Sequence, residues 1–276
     1  MSLLLKTLRT AFAARGAQPA PAPAEHADVP PADSVPAEDE TPAWRLLGAQ
    51  TGVQDLAYGD IARPGVQHLF RHPPRRLLDI GCASGAVGAG LKLALPRLWV
   101  WGCELNEAAA QVAATRLDHV TRVPREQWSA DDLARVASVD TVLLLDVLEH
   151  MYNPWAELEF LARHLPAEAQ VIVSLPNVGH IDVLGDLSLG AFPYRATGIL
   201  DVTHVRFFTF DGMLAMFDQA GFEVEETWIL NQSSNVRIEN FPARVAAGKL
   251  EIVVESADEW ERLNAIQFGF RLHARR

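Results

Sequence analysis

The chain is poor in cysteine, in cationic side chains and in long apolar runs, and each shortage excludes something. Cys82 and Cys103 are the only two cysteines among 276 residues. Two thiols do not make a disulfide framework, so a reducing compartment, the cytoplasm, is the expected location. No apolar run reaches the roughly 20 residues that span a bilayer. Lysine and arginine number 24 against 35 aspartates and glutamates, for a formal net charge of -11. That balance opposes broad electrostatic binding to nucleic acid, which is not an expected partner. Large apolar residues are nearly missing from 17–43, a stretch of proline, alanine and acids. It cannot bury enough surface to offset the entropy of ordering and is expected to be a disordered linker. Ahead of it, residues 1–16 place Leu4, Leu5, Leu8 and Phe12 at helical spacing, with Lys6, Arg9 and Arg15 around them. A secretion signal would keep its charges before an unbroken apolar core. The expectation is a short amphipathic segment that docks on a membrane surface or a partner, with a loosely ordered tail as the alternative.

After residue 44 strand and helix patterns alternate, and one domain is expected over 44–276, without internal repeats. Strands are expected at 76–80, 98–104, 119–123, 140–146, 169–176, 222–230 and 266–274. Helices are expected at 85–95, 106–117, 131–136, 155–165 and 210–220, with Gly221 closing the last of these. The middle strands are continuously apolar, which calls for a mostly parallel sheet with helices on both faces. This is an α/β, Rossmann-like, doubly wound architecture. Residues 222–230 alternate instead, as an edge or antiparallel strand would. No crossover helix of the usual length is apparent between the last two strands.

In such sheets ligands sit at the carboxyl ends of the strands, near the point where strand order reverses. The first strand delivers Asp79 and Gly81 there, the second Glu104, the fourth Asp146, and the fifth Ser174, Pro176 and Asn177. Three acids at neighbouring strand ends are costly to cluster unless a cationic or hydroxyl-rich ligand relieves them. The small residues that follow Ile80, from Gly81 through Gly90, allow either a tight turn or close backbone approach to that ligand.

"LDIGCASG", followed by an acid ending the second strand, resembles the class I S-adenosylmethionine-dependent methyltransferases. "LLLDVLEHMYNPWAEL", "IVSLPNVGH" and "GILDVTHVRFFTFDGMLAMFDQAGFEV" are similar to the subgroup of ubiquinone-type O-methyltransferases and of methyltransferases found beside glycan-building enzymes. The resemblance runs from about Leu77 to Val224, with a weaker echo at "IQFGFRLHA". It implies a seven-stranded, mostly parallel sheet with an antiparallel strand near the C-terminus. It implies S-adenosylmethionine as cofactor. Asp79 would orient the turn or meet the donor's amino group, and Gly81 and Gly85, with Cys82 and Ala83 between them, would let the backbone approach. Glu104 would accept from ribose hydroxyls, Leu105 and Trp128 would flank adenine, and Asp146 and Val147 would lie at the methionine end. The family usually carries a third glycine where this chain has Ala83.

Methyl transfer asks for alignment, exclusion of water and, for a hydroxyl, a base. His204 and His150 are the leading candidates, ahead of His180. Asp146, Glu149 and His150 also repeat the acid-x-x-Glu-His pattern that holds a divalent metal in related enzymes. No fourth ligand is identifiable, so no metal is expected. The long connection at about 178–208, with Phe192, Tyr194 and Arg195 amid glycines, is expected to act as a lid over the acceptor. The expected reaction is methylation of an oxygen, ahead of a nitrogen, on a small-molecule or glycan-like acceptor. Two alternatives stand beside it. A nicotinamide-dependent oxidoreductase would want G-x-G-x-x-G, which fails at Ala83. A non-catalytic scaffold would keep the donor pocket without turnover.

Overall fold

Strands β1 (Arg76–Ile80), β2 (Trp99–Cys103), β4 (Thr141–Leu145) and β5 (Gln170–Pro176) form the apolar middle of the sheet in a computed structural model that describes residues 62–233 and 238–275. Their side chains alternate between two cores, because successive residues of a strand point to opposite faces. Leu78, Val142, Leu144, Val171 and Val173 pack on one face. Leu77, Val100, Leu143 and Ile172 pack on the other. Burial on both faces explains why these strands read as unbroken apolar runs.

Seven strands hydrogen-bond in the order β3-β2-β1-β4-β5-β9-β6, with β3 at His119–Thr121, β6 at Phe222–Gln232 and β9 at Ala265–Ala274. β1, β2, β3, β4 and β5 pair in parallel, while β9 runs antiparallel to both neighbours. The expected architecture is borne out, and the alternating segment at 222–230 is an edge strand. The third strand is shorter than expected, ending at Thr121.

Helices α1 (Ala86–Ala94), α2 (Glu107–Ala113), α3 (Ala130–Val136), α4 (Pro154–His164) and α6 (Phe210–Gln219) follow the expected pattern; α1, α2 and α6 are shorter, and α3 and α4 each start one residue earlier. Side chains cap most of the starts: Asn106 accepts from the Ala109 amide, Ser129 from Asp132, Asn153 from Ala156 and Thr209 from Gly212. Gly221, at φ 88°, closes α6 as expected.

Two additions depart from the pattern. The connection at 178–208 contains a helix, α5 (Ile181–Ser188), and only its later part is irregular. Between β6 and β9 the chain builds a hairpin, β7 (Ala243–Ala247) with β8 (Leu250–Val254), and a helix, α7 (Ala257–Asn264). Ile181, Val245, Ala247, Val254 and Trp260 give these pieces a small core of their own. The alternation in "ARVAA" and "LEIVV" spans only five residues each, which hides a hairpin from periodicity. Among the described residues no helix is long and apolar enough to cross a membrane. The expectations for 1–16, for 17–43 and for a domain start near residue 44 lie outside the described residues.

Candidate active site

Strand order reverses between β1 and β4, and the carboxyl ends of the strands part there. Two cavities meet at this point, one of about 770 Å³ and one of about 590 Å³. Gly81, Ala83 and Asp146 line both.

The larger cavity has the glycine turn as its floor and Glu104, Leu105, Val123 and Trp128 along its walls. Gly81 sits at φ +71°, and a Cβ there would come within 2.5 Å of Val147 Cγ2. Backbone conformation and space therefore both demand glycine. Gly85 differs from the expectation. A Cβ on it would meet Leu117 Cγ at 3.0 Å and Ala113 Cα at 3.2 Å, so this glycine lets the turn pack against the end of α2 and the loop after it. Ala83 has φ +47°, in the region that costs a non-glycine residue about 1–2 kcal/mol. That is the physical reason for the glycine usual in the resembling family.

Glu104 accepts hydrogen bonds from the amides of Ala83 at 2.9 Å and Asn106 at 2.7 Å. It thus pins the strained turn, and each carboxylate oxygen keeps a further lone pair. Leu105 is well exposed at the rim. Trp128 is mostly core: its ring lies 4.9 Å from that of Trp101, and its indole N–H donates to Val123 O at 3.2 Å.

Asp79 lines the smaller cavity and is 2% exposed. Burial pushes its carboxyl up to about 7, the Arg63 guanidinium pulls it down, and Glu104 raises it further. Its Oδ2 has no hydrogen-bond partner among the described residues. Asp146, at φ +59°, stands on the wall between the cavities. Its Oδ1 accepts from Ser174 Oγ at 2.7 Å and from the Gln267 amide. Its Oδ2 pairs with Arg63 Nη2 at 2.8 Å.

Glu149 is 1% exposed, and burial raises its carboxyl well above the usual range. Its Oε1 lies 4.0 Å from His204 Nε2, and its Oε2 lacks a partner among the described residues. The two leading histidines meet here, with ring centroids 4.8 Å apart. His204 Nδ1 faces Ile199 O at 3.0 Å, and His150 Nδ1 faces Thr203 O at 3.2 Å. Only an N–H can face a carbonyl, so the His204 ring carries its proton on Nδ1 and its lone pair on Nε2. Burial lowers the pKa of both histidines, which favours their neutral forms.

The third histidine is different. His180 caps α5 by accepting the Asp182 amide at Nδ1 (3.1 Å), and its Nε2 meets Ser233 Oγ at 2.8 Å. Its lone pair is already used, so its place is structural. Glu149, His150 and His204 each offer a ligand atom, all within 4.8 Å of one another. Asp146, expected in that cluster from spacing, turns to Arg63 instead, and His204 takes its place.

Arg63, Asn231 and Gln267 also line the smaller cavity and were not expected there. Arg63 precedes a 3-10 turn, Pro64–Leu69, with no motif around it. Gln267 lies in the segment "IQFGFRLHA", whose resemblance marked a strand but no site residue.

Residues 57–227, well over half of the chain, match the methyltransferase domain family. The chain belongs to that family. Ubiquinone biosynthesis O-methyltransferase of Alkalilimnicola ehrlichii is 32% identical over 106 residues, 37% of this chain and 42% of that enzyme. The chain spans less than half the length of the curated relatives it matches. A SAM-dependent methyltransferase of Archaeoglobus fulgidus superposes with a TM-score of 0.52 at 15% identity, covering 83% of this chain and 99% of that one. Mitomycin 7-O-methyltransferase superposes at 0.50 with 14% identity, over 85% of this chain and 61% of the other. These structures share the fold. The resemblance to class I methyltransferases is borne out, and the nicotinamide-dependent alternative falls with it.

Proposed function

We propose that the protein transfers the methyl group of S-adenosylmethionine to a hydroxyl oxygen of a small-molecule or glycan-like acceptor. One observation carries the reading: two cavities share the Gly81–Asp146 wall, and the lone-pair nitrogen of His204 stands beside the second. The residues present fit the donor. Gly81 provides a cradle that any Cβ would fill against Val147. Asp79 holds a buried oxygen without a partner. Arg63 and Asp146 present a cation and an anion side by side, complementary to the carboxylate and ammonium of an amino acid.

When bound, the sulfonium supplies an activated methyl group and its own leaving group. Glu104 would hold the ribose, and Leu105 and Trp128 would flank the adenine in the larger cavity. Arg63 would take the carboxylate, and Asp146 Oδ2, with Asp79, the ammonium. His204 Nε2 would then receive the acceptor's hydroxyl proton, with Glu149 close enough to steady the resulting charge. The irregular stretch after α5 brings Gly198, Ile199 and Asp201 to the smaller cavity, and we assign it the lid that excludes water. The lone pair on His204 supports oxygen over nitrogen as acceptor, as does the likeness to an O-methyltransferase.

The Glu149, His150 and His204 cluster favours a second reading of the same step. Its ligand atoms lie within 4.8 Å and one Glu149 oxygen is unpartnered, so the set fits a divalent cation. A cation there would polarise the acceptor hydroxyl in place of a free base. Titration with Mn²⁺ or Zn²⁺ by calorimetry, and chelator treatment of the active protein, separate the two readings.

The donor reading is tested by titration with S-adenosylhomocysteine. The transfer is tested with isotopically labelled donor and fractionated cell extract. Label in a methyl ether is the expected result. Label in an N-methyl product overturns the oxygen assignment. Tight homocysteine-nucleoside binding with no transfer to any fraction favours the non-catalytic scaffold.

A further inference from the structure

Asp146 is held in a left-handed backbone conformation, at φ +59°. Such a residue persists only when its surroundings over-determine it. Its two oxygens are fixed by different means. Oδ2 has an ion pair with Arg63 at 2.8 Å, the contact the donor's charged groups would exchange. Oδ1 has two neutral donors, Ser174 Oγ at 2.7 Å and the Gln267 side-chain amide. The second of these has its own support, because Asn231 Nδ2 donates to Gln267 Oε1 at 2.9 Å. Turning the Gln267 amide over would set oxygen against the Asp146 carboxylate and nitrogen against the Asn231 amide nitrogen. The Asp146 carboxylate, which only accepts, dictates that Gln267 presents its nitrogen, and Asn231 holds the Gln267 oxygen that remains. Register places these residues together: Gln267 on β9 pairs with Pro176 on β5 and with Asn231 on β6.

We propose that Gln267 is a positioning residue that anchors Asp146 Oδ1 while Oδ2 changes partner from Arg63 to the donor's ammonium, and that Asn231 acts only through Gln267. The proposal rests on the donor reading above. It assigns the two late strands a part in donor binding, although both lie on the far side of the sheet from the glycine turn. Removing the anchor leaves Ser174 as the sole neutral side-chain donor to Oδ1 among the described residues, and the carboxylate is free to rotate toward Arg63 with both oxygens. Donor binding weakens, while turnover at saturating donor changes little because the proton-accepting group is elsewhere.

The test is calorimetric titration of S-adenosylhomocysteine into wild type, Gln267→Met, Asn231→Leu and the double variant, with thermal melting and kcat at saturating donor alongside. Wild type binds; Gln267→Met binds about tenfold more weakly and Asn231→Leu about threefold, the scale of one lost hydrogen bond to a charged group. The double variant binds no more weakly than Gln267→Met alone, the non-additivity of residues acting in series. Asn231 is exposed, so its variant keeps the question open if Gln267→Met does not fold. Equal affinities across the set, or strictly additive losses, overturn the relay while leaving the donor reading intact. A wild type that does not bind the nucleoside overturns the donor reading and the relay with it.

Discussion

The two cavities keep their shape by different means. Around the larger one, side chains bind backbone: Glu104 ties down amides only 2 and 21 positions away, and Gly81 is fixed by its own φ and by Val147. Around the smaller one, side chains mostly bind other elements across long separations. Gln267 reaches Asp146 over 121 positions, and Ser174 meets Asp146 over 28. The difference has a consequence for chemistry. A turn held by its own backbone can bind one invariant ligand, and little else in the chain has to agree with it. A wall assembled from distant strands and loops can be rebuilt piece by piece: its Asp146 side takes the amino-acid end of the donor, and its His204 and loop side is where acceptor specificity belongs.

If that division is real, a change at the His204 side moves turnover without moving donor affinity. His204→Asn, which keeps a polar group of similar reach, is expected to lower kcat by about 10²–10⁴-fold, the usual scale for a proton-transfer group. Affinity for S-adenosylhomocysteine stays within about threefold, well below the tenfold that one lost charged hydrogen bond produces. Steady-state kinetics and calorimetry on the same preparation check both halves. A joint fall in both would show that the two cavities act as one.

Asp79 lines the smaller cavity beside Asp146, and its proton makes the next test. Burial holds its carboxyl at about 7 against a reference of 3.8. Between those values the folded chain keeps a proton that the unfolded chain has released. The stability linked to Asp79 is thus fully present below about pH 4 and is lost as pH rises to about 7. The loss amounts to about 4 kcal/mol at roughly 1.4 kcal/mol per pH unit. Asp79→Asn should flatten that slope in urea titrations run from pH 4 to 8. A bound donor ammonium should offset part of it in wild type only. Glu104→Ala probes the larger cavity alone: donor affinity falls by about 1–3 kcal/mol with kcat at saturation little changed. Unchanged affinity in that variant would move the ribose elsewhere.

The same contrast governs how much of the molecule was legible in its sequence. The seven strands, their mostly parallel order and the acids at their tips follow from local pattern, because a strand buried on both faces must be apolar and a tight turn must be small. The β7–β8 hairpin and α5 escaped, being short elements whose small core is supplied by partners far along the chain. Spacing placed Asp146 with Glu149 and His150, but the left-handed backbone at Asp146 turns its side chain to Arg63, and no local signal announces that. The sequence put His204 and His150 ahead of His180 without a physical ground. The partners supply one: a carbonyl opposite Nδ1 leaves His204 its lone pair on Nε2, and a backbone amide opposite Nδ1 consumes that of His180.

Ala83 offers the smallest and most local test of the comparison. Its φ of +47° costs about 1–2 kcal/mol in an alanine. Glycine would relieve that strain but would enlarge the freedom of the unfolded chain, worth about 0.4–1 kcal/mol. Ala83→Gly should therefore stabilise the protein by about 0.5–1 kcal/mol in chemical denaturation. Donor affinity should stay within about twofold, since the amide that Glu104 accepts is unchanged by losing a methyl group. A clear loss of stability would mean that the Ala83 methyl contributes packing as well as strain, and the turn would then be less self-sufficient than its backbone contacts indicate.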